Sequence, residues 1–347
     1  MGQPAARIPG RNRRWILANR PQTEVERDLL TFEDAALPEP GEGEVLVRNI
    51  YLSIDPTHRI WMSDVDQYME PVAIGDVMRG GTLGVVEASR AKGLAVGDIV
   101  TGQGGWQDYI AISGKAVRRV VPGNLPLTAF MGPLGNIGAT AYFGLFEVAR
   151  PRPGETVLVS AAAGAVGSLV GQMAKIMGCR VVGIAGSAEK CAWITDDLGF
   201  DAAINYREAD LVGAISAACP DGVDVYFDNV GGRILDAALT LINQGARIAV
   251  CGLISTYNEI EQGGGPAMFR NVLMKRARIE GFIVSDYWRR YPEAFAAIGH
   301  WIGKGLLKYR VDVRDGLKNA PEILKLLFSG AHDGKLLVRV SDEPPSG

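Results

Sequence analysis

Residues 156–178 (TVLVSAAAGAVGSLVGQMAKIMG) constrain the fold more than any other part of this chain. They are typical of a buried strand, a turn of small residues and a helix in immediate succession, after the turn signal Pro153-Gly154. In the turn the side chains shrink to alanine and glycine, so backbone N–H groups at the start of the helix can approach an anion. The segment therefore predicts an α/β fold with an anion site at this turn.

The turn differs in one place from the G-x-G-x-x-G fingerprint that binds the pyrophosphate of a dinucleotide. Ala162 occupies the first glycine position, whereas Gly164 and Gly167 occupy the second and third. On the motif alone, a glycine-containing turn in some other α/β protein is the alternative. We interpret the segment as a dinucleotide site.

The next predicted strand, 180–184, indicates which dinucleotide is bound. Proteins that select NAD usually place Asp or Glu at the end of this strand to hold the ribose hydroxyls, but Ala185 and Gly186 stand here. Lys190 follows closely, and a site with a cation and no carboxylate can accept a 2′-phosphate. The sequence thus favours NADP, although Glu189 weakens the charge argument and an ordinary solvated Lys190 is the alternative.

Composition excludes several classes of protein. The 347 residues suffice for two domains, and a hydrophobic content of 47% predicts well-filled cores. The formal net charge of −3 gives no global basic field of the kind used to bind nucleic acid. No apolar run reaches transmembrane length, and the run 15–18 is too short for a signal peptide. We expect a soluble, cytoplasmic protein with neither nucleic-acid nor membrane partners.

The cysteines and histidines give little support for a metal site. The four cysteines are widely and irregularly spaced without a C-x-x-C pair, so free and mostly buried thiols are expected. The three histidines are far apart in sequence: His58, His300 and His332. We predict no metal, with convergence of these residues in space as the alternative.

The strand and helix signals predict two domains and a returning tail. Short strands between Gly, Pro and Asp turns fill residues 1–128, which predicts a β-rich domain. Residues 129–305 alternate between strands and helices and predict a doubly wound parallel sheet, whereas 306–347 are expected to pack back on the first domain. Strands are predicted at 156–160, 180–184, 203–205, 223–227, 247–250 and 279–284, and helices at 139–148, 168–177, 189–197 and 211–218.

Several motifs, spread over nearly the whole chain, together resemble one protein family. They are RNRRWILA at 11–18, TAYFGL at 140–145, AAAGAVG at 161–167, FDNVGG at 227–232 and CGLISTYN at 251–258. This set resembles the zinc-free branch of the medium-chain dehydrogenase/reductase superfamily that contains prostaglandin reductases, plant 2-alkenal reductases and bacterial curcumin reductases. The resemblance implies a GroES-like catalytic domain, a Rossmann cofactor domain and a homodimer. It also implies NADPH-dependent reduction of the carbon-carbon double bond of α,β-unsaturated aldehydes or ketones, by zinc-independent hydride transfer to the β-carbon.

The resemblance further assigns cofactor contacts in this sequence. The backbone around Gly164, Ala165, Val166 and Gly167 would hold the pyrophosphate. Lys190 and Tyr206 would hold the 2′-phosphate, with a further cation at Arg207, and Asn229 would lie near the nicotinamide half unless it is only a turn residue. The remaining implied contacts are Gly186, Cys251, Gly252, Ser255, Thr256, Tyr257, Phe282, Ile283, Val284 and His332, the last replacing the usual Asn of a Gly-x-Asn-x-Gly-Lys loop.

Tyr257 is the predicted catalytic residue. It lies just beyond the predicted strand 247–250, and ligands bind at the carboxyl ends of strands in open α/β sheets. Hydride transfer to the β-carbon develops negative charge on the carbonyl oxygen, which requires a hydrogen-bond donor. We hypothesise that Tyr257 donates this bond together with a cofactor ribose hydroxyl, and that the enol takes its α-carbon proton later. A loop aromatic that packs at a domain interface is the alternative.

The substrate side departs from the family. Many relatives carry Asp-Pro-Tyr-Met-Arg, whereas this chain has Asp55-Pro56-Thr57-His58-Arg59. In those relatives the tyrosine lines the substrate site, so Thr57 and the nearby Trp61 are the predicted substrate residues and the exact substrate stays open. His58 is either a polar substrate contact or an exposed structural histidine. Two functions compete with the enone reductase: an NADPH-dependent quinone oxidoreductase, and a non-catalytic NADPH-binding or sensing protein.

Overall fold

The structure is a computed structural model that describes residues 10–208, 210–258 and 265–345, without the side chain of Arg27. The chain divides into two compact units. The first comprises Met1–Met131, Val313–Ser329 and Leu336–Gly347, and the second comprises Gly132–Asp312 and Gly330–Lys335. The first segment of the first unit ends at Met131, whereas the sequence predicts a boundary after residue 128. Residues 330–335 lie in the second unit. The sequence predicts them as part of the returning tail.

The N-terminal part of the first unit is built from antiparallel strands. They are β1 (Arg11–Leu17), β2 (Leu30–Ala36), β3 (Glu44–Ser53), β4 (Thr82–Ser89), β5 (Ile99–Gly102), β6 (Tyr109–Ser113) and β7 (Arg118–Val120). β1 pairs with β2, and β3 pairs with both β4 and β6. A short helix, α1 (Thr57–Trp61), follows β3. The predicted β-rich domain is confirmed.

The second unit contains one parallel sheet with helices between its strands. The helices are α2 (Asn136–Phe143), α3 (Ala165–Ile176), α4 (Ala188–Ala192), α5 (Leu211–Ala218), α6 (Gly232–Leu241), α7 (Arg270–Met274) and α8 (Tyr291–Gly303). The strands are β8 (Thr156–Val159), β9 (Arg180–Ala185), β10 (Ala202–Asn205), β11 (Val223–Asp228), β12 (Ile242–Val250) and β13 (Arg278–Gly281). Their order is β10-β9-β8-β11-β12-β13, and all neighbours are parallel. The predicted doubly wound sheet is confirmed.

The C-terminal part adds β14 (Val311–Asp315), α9 (Ala320–Ser329) and β15 (Lys335–Arg339). β14 and β15 extend the sheet of the first unit in the order β14-β15-β3-β4-β5-β7. Buried apolar side chains from the start and end of the chain share one core there, including Trp15, Leu52 and Leu324. The indole N–H of Trp15 donates a 2.8 Å hydrogen bond to the carbonyl oxygen of Leu317, which fixes the tail to β1.

One predicted strand is too long and one is too short. The apolar run through Val284 predicts a strand at 279–284, but β13 ends at Gly281 and a 3₁₀ turn begins at Val284. The next residue, Phe282, has left the sheet, and its ring centroid lies 6.2 Å from that of Phe227. In contrast, β12 begins at Ile242 rather than 247, since the polar residues of its first half carry no apolar strand signal.

Candidate functional site

Most of the predicted cofactor residues lie directly after a strand of the parallel sheet. Because the strands are parallel, their carboxyl ends meet at one edge, where ligands bind in open α/β sheets. β8 and β11 are neighbours in the middle of the sheet, and the strand order runs outward from them in opposite directions. The residues that follow the strands are Gly164 to Gly167 after β8, Gly186 after β9, Tyr206 after β10, Asn229 after β11, Cys251 to Tyr257 after β12 and Phe282 to Val284 after β13.

The turn after β8 has the shape that an anion requires. α3 begins at Ala165 behind Gly164, and the first N–H groups of a helix have no acceptors within the helix. A Cβ atom on Gly167 would clash with the carbonyl oxygen of Ala161 and lie 2.9 Å from the Cα of Ala162. Only glycine therefore fits at 167, and the tight turn leaves the N–H groups of the first helical turn accessible to a pyrophosphate.

Gly183, on the neighbouring strand β9, provides the space for Ala162 at the first glycine position of the fingerprint. Ala162 is fully buried, and its backbone N–H donates a 2.9 Å hydrogen bond to the carbonyl oxygen of Ile184. A Cβ atom on Gly183 would lie 2.8 Å from the Cβ of Ala162. Gly183 thus leaves room for the extra methyl group of Ala162, although the preceding Ala161 has a positive φ of 47°.

Tyr206 and Lys190 both have contacts with the chain that follows β9. The ring of Tyr206 packs so closely on Gly186 that a Cβ atom there would be 3.0 Å from Cε1 of the tyrosine. The Ser187 hydroxyl caps α4 by accepting a 3.2 Å hydrogen bond from the N–H of Lys190. The Nζ of Lys190 donates a 2.7 Å hydrogen bond to the carbonyl oxygen of Gly330. Lys190 is therefore half-buried and held in place, unlike a fully solvated lysine.

Two arginines add positive charge around Tyr206. The guanidinium carbons of Arg207 and Arg233 lie 5.8 Å and 5.6 Å from the centroid of the tyrosine ring. Arg233 also donates a 3.2 Å hydrogen bond to the carbonyl oxygen of Tyr206. Together with Lys190 these cations fit the charge of a 2′-phosphate. Arg233 is absent from the sequence prediction, since it follows the FDNVGG motif and is distant in sequence from Lys190.

The loop that carries His332 is tied to the same region. Gly334 forms a parallel bridge with Gly164, the residue that precedes α3. Gly334 has a positive φ of 67°, and a Cβ atom there would clash with the carbonyl oxygen of Arg310. With Gly330 bonded to Lys190, residues 330–335 are thus fixed beside the turn after β8, which brings His332 into the neighbourhood of the predicted cofactor residues.

Asn229 is joined to the residue that follows β8. Its backbone N–H donates a 2.8 Å hydrogen bond to the Oγ of Ser160, and its Nδ2 donates a 2.8 Å hydrogen bond to the backbone carbonyl oxygen of Ser160. The preceding residue, Asp228, is fully buried and accepts hydrogen bonds on Oδ1 from side chains and from the turn. The sequence predicts a role for Asn229 but none for Ser160 or Asp228.

The turn after β12 brings the phenol of Tyr257 back to the first residues of the same turn. The N–H groups of Cys251 and Gly252 donate hydrogen bonds of 2.8 Å and 3.2 Å to the carbonyl oxygen of Asp228. A 3₁₀ turn at Ile254–Thr256 then brings Tyr257 back, and the N–H of Leu253 donates a 3.1 Å hydrogen bond to the phenol oxygen. The phenol oxygen accepts this bond, so its own proton is not used in it.

Other residues of the turn stabilise this position of Tyr257. The Ser255 hydroxyl donates a 2.6 Å hydrogen bond to the carbonyl oxygen of Val230, which connects the turns after β11 and β12. A Cβ atom on Gly252 would lie 3.1 Å from the phenol oxygen of Tyr257, so glycine leaves the space that the phenol occupies. Burial and the nearby carboxylate of Asp228 raise the pKa of the Cys251 thiol to about 12. Cys251 is therefore a neutral thiol at physiological pH.

In the first unit, α1 and the chain after it bring Thr57 and Trp61 together with Tyr68. The indole N–H of Trp61 donates a 2.9 Å hydrogen bond to the phenol oxygen of Tyr68, which also shares a side-chain hydrogen bond with Thr57. The guanidinium carbon of Arg79 lies 5.5 Å from the ring centroid of Trp61. Burial raises the pKa of Tyr68, so its hydroxyl keeps its proton. A phenol therefore lies beside Thr57, although the family tyrosine is missing.

His58 is not an exposed histidine, and this alternative is wrong. The side chain is fully buried, with its ring centroid 5.2 Å from that of Trp61 and 5.4 Å from that of Trp106. His58 is one of the buried residues of the short helix α1. Tyr68, which lies outside this helix, is 44% exposed. His58 therefore contributes to the core that supports Trp61.

The described residues contain no group of three or more His, Cys, Asp or Glu side chains that could hold a metal ion. As whole residues, Cys179 and Cys219 are buried and Cys191 and Cys251 are partly exposed, and all four are free cysteines. Within the part of the chain that the structure covers, no helix has both the length and the apolar character to cross a membrane.

Comparison with known proteins identifies relatives along the whole chain. A family model described as the N-terminal domain of oxidoreductase matches residues 13–120, and one described as zinc-binding dehydrogenase matches residues 165–299. The chain is 43% identical to NADPH-dependent curcumin reductase of Escherichia coli (strain K12) over 338 residues, 96% of this chain and 98% of the relative. It is 45% identical to the NADP(+)-dependent 2-alkenal reductase of Nicotiana tabacum over 307 residues, 87% of this chain and 89% of the relative.

A solved structure agrees with both the sequence relationship and the fold. The crystal structure of CurA from Vibrio vulnificus in complex with NADPH is 41% identical to this chain and superposes with a TM-score of 0.91. The match covers 95% of this chain and 100% of that protein.

Proposed function

Because this chain belongs to the medium-chain dehydrogenase/reductase family, in the branch of the curcumin and 2-alkenal reductases, we propose that it reduces the carbon-carbon double bond of α,β-unsaturated aldehydes or ketones. The predicted enzyme class and cofactor are confirmed by the relatives: the chain is an NADP-dependent oxidoreductase of this type. NADPH supplies the hydride, which passes to the β-carbon of the substrate.

The turn after β8 and the cations around Tyr206 would hold the two phosphate groups of the cofactor. The N–H groups at the start of α3 suit the pyrophosphate, and Lys190 with Arg207 and Arg233 suits the 2′-phosphate. The unused acceptor of Asn229 and the turn at 251–257 would orient the nicotinamide half. The backbone of 282–284 and the loop of His332 would complete this set of contacts.

The geometry of Tyr257 is the observation that carries the proposal. Its phenol lies at the carboxyl end of β12, and the N–H of Leu253 occupies a lone pair of the phenol oxygen. We infer that the phenol donates its proton to a substrate carbonyl, and a hydrogen bond accepted by a hydroxyl strengthens the bond that the hydroxyl donates. A preorganised donor at the carbonyl oxygen stabilises the enolate-like charge of the transition state.

Thr57, Trp61 and Tyr68 of the first unit would contact the substrate and form the substrate wall. The indole of Trp61 and the ring of Tyr68 offer an apolar surface, and the phenol of Tyr68 offers one polar contact beside it. Such a surface suits a hydrophobic enone better than a small, highly charged substrate.

We also propose that the protein is a homodimer that associates at the β13 edge of the sheet. In the part of the chain that the structure describes, β13 pairs with a strand on one side only. Large apolar side chains are exposed on α7 and on the turn after β13: Leu273, Met274 and Trp288. An exposed strand edge next to apolar side chains is typical of an interaction surface. Light scattering of the wild type and of Leu273→Asp tests this proposal. We expect a dimer for the wild type and a weakened dimer for the variant. A wild-type monomer would contradict the proposal.

The function is tested by following NADPH oxidation with enals, enones including curcumin, and quinones, with product analysis for each. We expect saturated aldehydes or ketones as products and a preference for NADPH over NADH. Quinol formation alone would instead favour the quinone oxidoreductase. Tight NADPH binding with no turnover of any of these compounds would contradict the proposed reaction.

A further inference from the structure

The two hydrogen bonds between Asn229 and Ser160 lie at the point where the order of the sheet reverses. Ser160 directly follows β8 and Asn229 directly follows β11, the adjacent central strands from which the sheet extends in opposite directions. One bond fixes the backbone of Asn229, and the other fixes the rotation of its carboxamide. Because Nδ2 is used by the carbonyl of Ser160, the side chain is left to present Oδ1 as an acceptor.

The Ser160 hydroxyl is oriented in turn by Asp228. Its Oγ lies 3.1 Å from Oδ1 of Asp228 and 3.5 Å from the carbonyl oxygen of Phe227, so the shorter bond goes to the carboxylate. A hydroxyl has one proton, and donating it to Asp228 leaves an oxygen lone pair for the N–H of Asn229. Bonds from hydroxyl to carboxylate are stronger than those between neutral groups, which fixes the direction of this chain of bonds.

Asp228 also holds the turn that contains Asn229. Its Oδ1 accepts hydrogen bonds of 3.0 Å from the N–H groups of both Val230 and Gly231, and a 2.8 Å bond from the hydroxyl of Tyr226. Burial and the adjacent carboxylate raise the pKa of Tyr226, so this phenol stays protonated and donates. This one oxygen of Asp228 therefore bonds to Tyr226, which precedes Asn229, and to Val230 and Gly231, which follow it.

Neither Ser160 nor Asp228 can contact a ligand directly, because both side chains are fully buried. Asn229, in contrast, is partly exposed at the same strand ends. Any effect of Ser160 or Asp228 on cofactor binding must therefore pass through Asn229 and its turn.

We propose that Ser160 and Asp228 are positioning residues that set the carboxamide of Asn229 for the nicotinamide half of NADPH. The inference rests on the proposed role of Asn229 in binding the cofactor. It assigns a function to Ser160, which lies outside the family motifs, and to Asp228, which lies in FDNVGG without a predicted role.

The dissociation constant of NADPH, measured by calorimetry without substrate, tests the proposal. We expect Ser160→Ala to weaken binding about fivefold, as expected for one net hydrogen bond. Asn243→Ala is the matched control, because it removes a 2.8 Å hydrogen bond to Asp224 at the start of β12, at the opposite edge of the sheet from Asn229, and leaves both bonds of Asn229 in place. This control should lower the melting temperature yet keep the dissociation constant within about twofold of the wild-type value.

A double-mutant cycle with Asn229→Ala separates positioning from general weakening of the fold. In the Asn229→Ala background, Ser160→Ala should change the dissociation constant by less than about twofold, since the side chain that it positions is gone. Equal effects of Ser160→Ala and Asn243→Ala on the dissociation constant, or fully additive effects in the cycle, would overturn the proposal.

If Ser160→Ala does not fold, Asn229→Asp tests the same bond from its exposed end. Aspartate keeps an oxygen at Oδ1 but cannot donate to the carbonyl of Ser160, so binding should weaken at least as much as in Asn229→Ala. Wild-type affinity in this variant would refute the positioning role. Because these measurements contain no substrate, they are independent of whether the enzyme reduces enones.

Discussion

The Nζ of Lys190 and the carbonyl oxygen of Gly330 are 2.7 Å apart, so the helix after β9 is bonded to the loop that carries His332. A cation held in this way beside Tyr206 can recognise a 2′-phosphate without first being ordered. We expect Lys190→Ala to raise the KM for NADPH by about 10- to 100-fold, as for hydrogen bonds to charged groups, while the KM for NADH stays nearly unchanged. Steady-state kinetics with both cofactors measures this.

Lys175→Ala is the control for this substitution. Lys175 is on α3 and pairs with Asp201 at 2.8 Å, so the variant removes the same charge from the same unit without altering the cluster around Tyr206. It should leave both KM values within about twofold of wild type, because exposed ion pairs contribute little. An equal rise in the two KM values for Lys190→Ala would mean that Lys190 supports the loop and does not recognise the phosphate.

Tyr68→Phe should impair use of the substrate and leave NADPH binding intact. The variant loses the oxygen that accepts the 2.9 Å bond from Trp61 and keeps the ring. We expect the KM for an enone to rise about fivefold, the effect of one hydrogen bond, with unchanged affinity for NADPH. Tyr51→Phe, which removes a hydroxyl bonded to Glu343 in the same unit, is the control. Unchanged kinetics in Tyr68→Phe would remove Tyr68 from the substrate wall.

Gly183 and Ala162 should behave as a compensating pair. A methyl group at 183 would meet the Cδ1 of Ile194 at 2.5 Å, the Cβ of Ala162 at 2.8 Å and the Cδ2 of Phe200 at 3.0 Å, so Gly183→Ala should lower the free energy of unfolding by about 1–3 kcal/mol. Adding Ala162→Gly should recover part of this loss. Gly303→Ala, at the end of α8 with no neighbour within 4 Å, should not destabilise the protein. Denaturant unfolding measures all three, and additive effects of the first two would contradict the pairing.

The positions of the strands in the parallel sheet could be predicted from sequence, because each contains a short apolar run followed by small or polar residues. The helix predicted at 211–218 agrees with α5 (Leu211–Ala218), whose N-cap Asp210 is a local signal. The end of β13 could not be predicted, since Phe282 leaves the sheet only to pack on Phe227, a residue distant in sequence. Local pattern therefore predicts where elements occur, but contacts between distant residues decide where they end.

The candidate site shows the same limit. Gly164, Gly167 and Asn229 belong to short motifs and are visible in the sequence. Ser160 and Arg233 carry no motif of their own, and their relation to Asn229 and Tyr206 exists only after the parallel strands have aligned. Residues that act by holding another residue are thus the part of a site that a single sequence does not reveal.

Tyr257→Phe tests the catalytic hypothesis most directly. The variant keeps the ring beside Gly252 but loses the hydroxyl that would donate to the substrate carbonyl, together with the oxygen that accepts from Leu253. Removing one preorganised donor of this kind lowers kcat by about 100- to 1000-fold. We therefore expect a loss of this size in kcat for enone reduction, with NADPH affinity within about twofold of wild type because the ring and the turn remain. Tyr142→Phe, which removes a hydroxyl bonded to Glu293 at 3.0 Å, should retain full activity. Near-normal kcat in Tyr257→Phe would show that another group donates to the carbonyl oxygen.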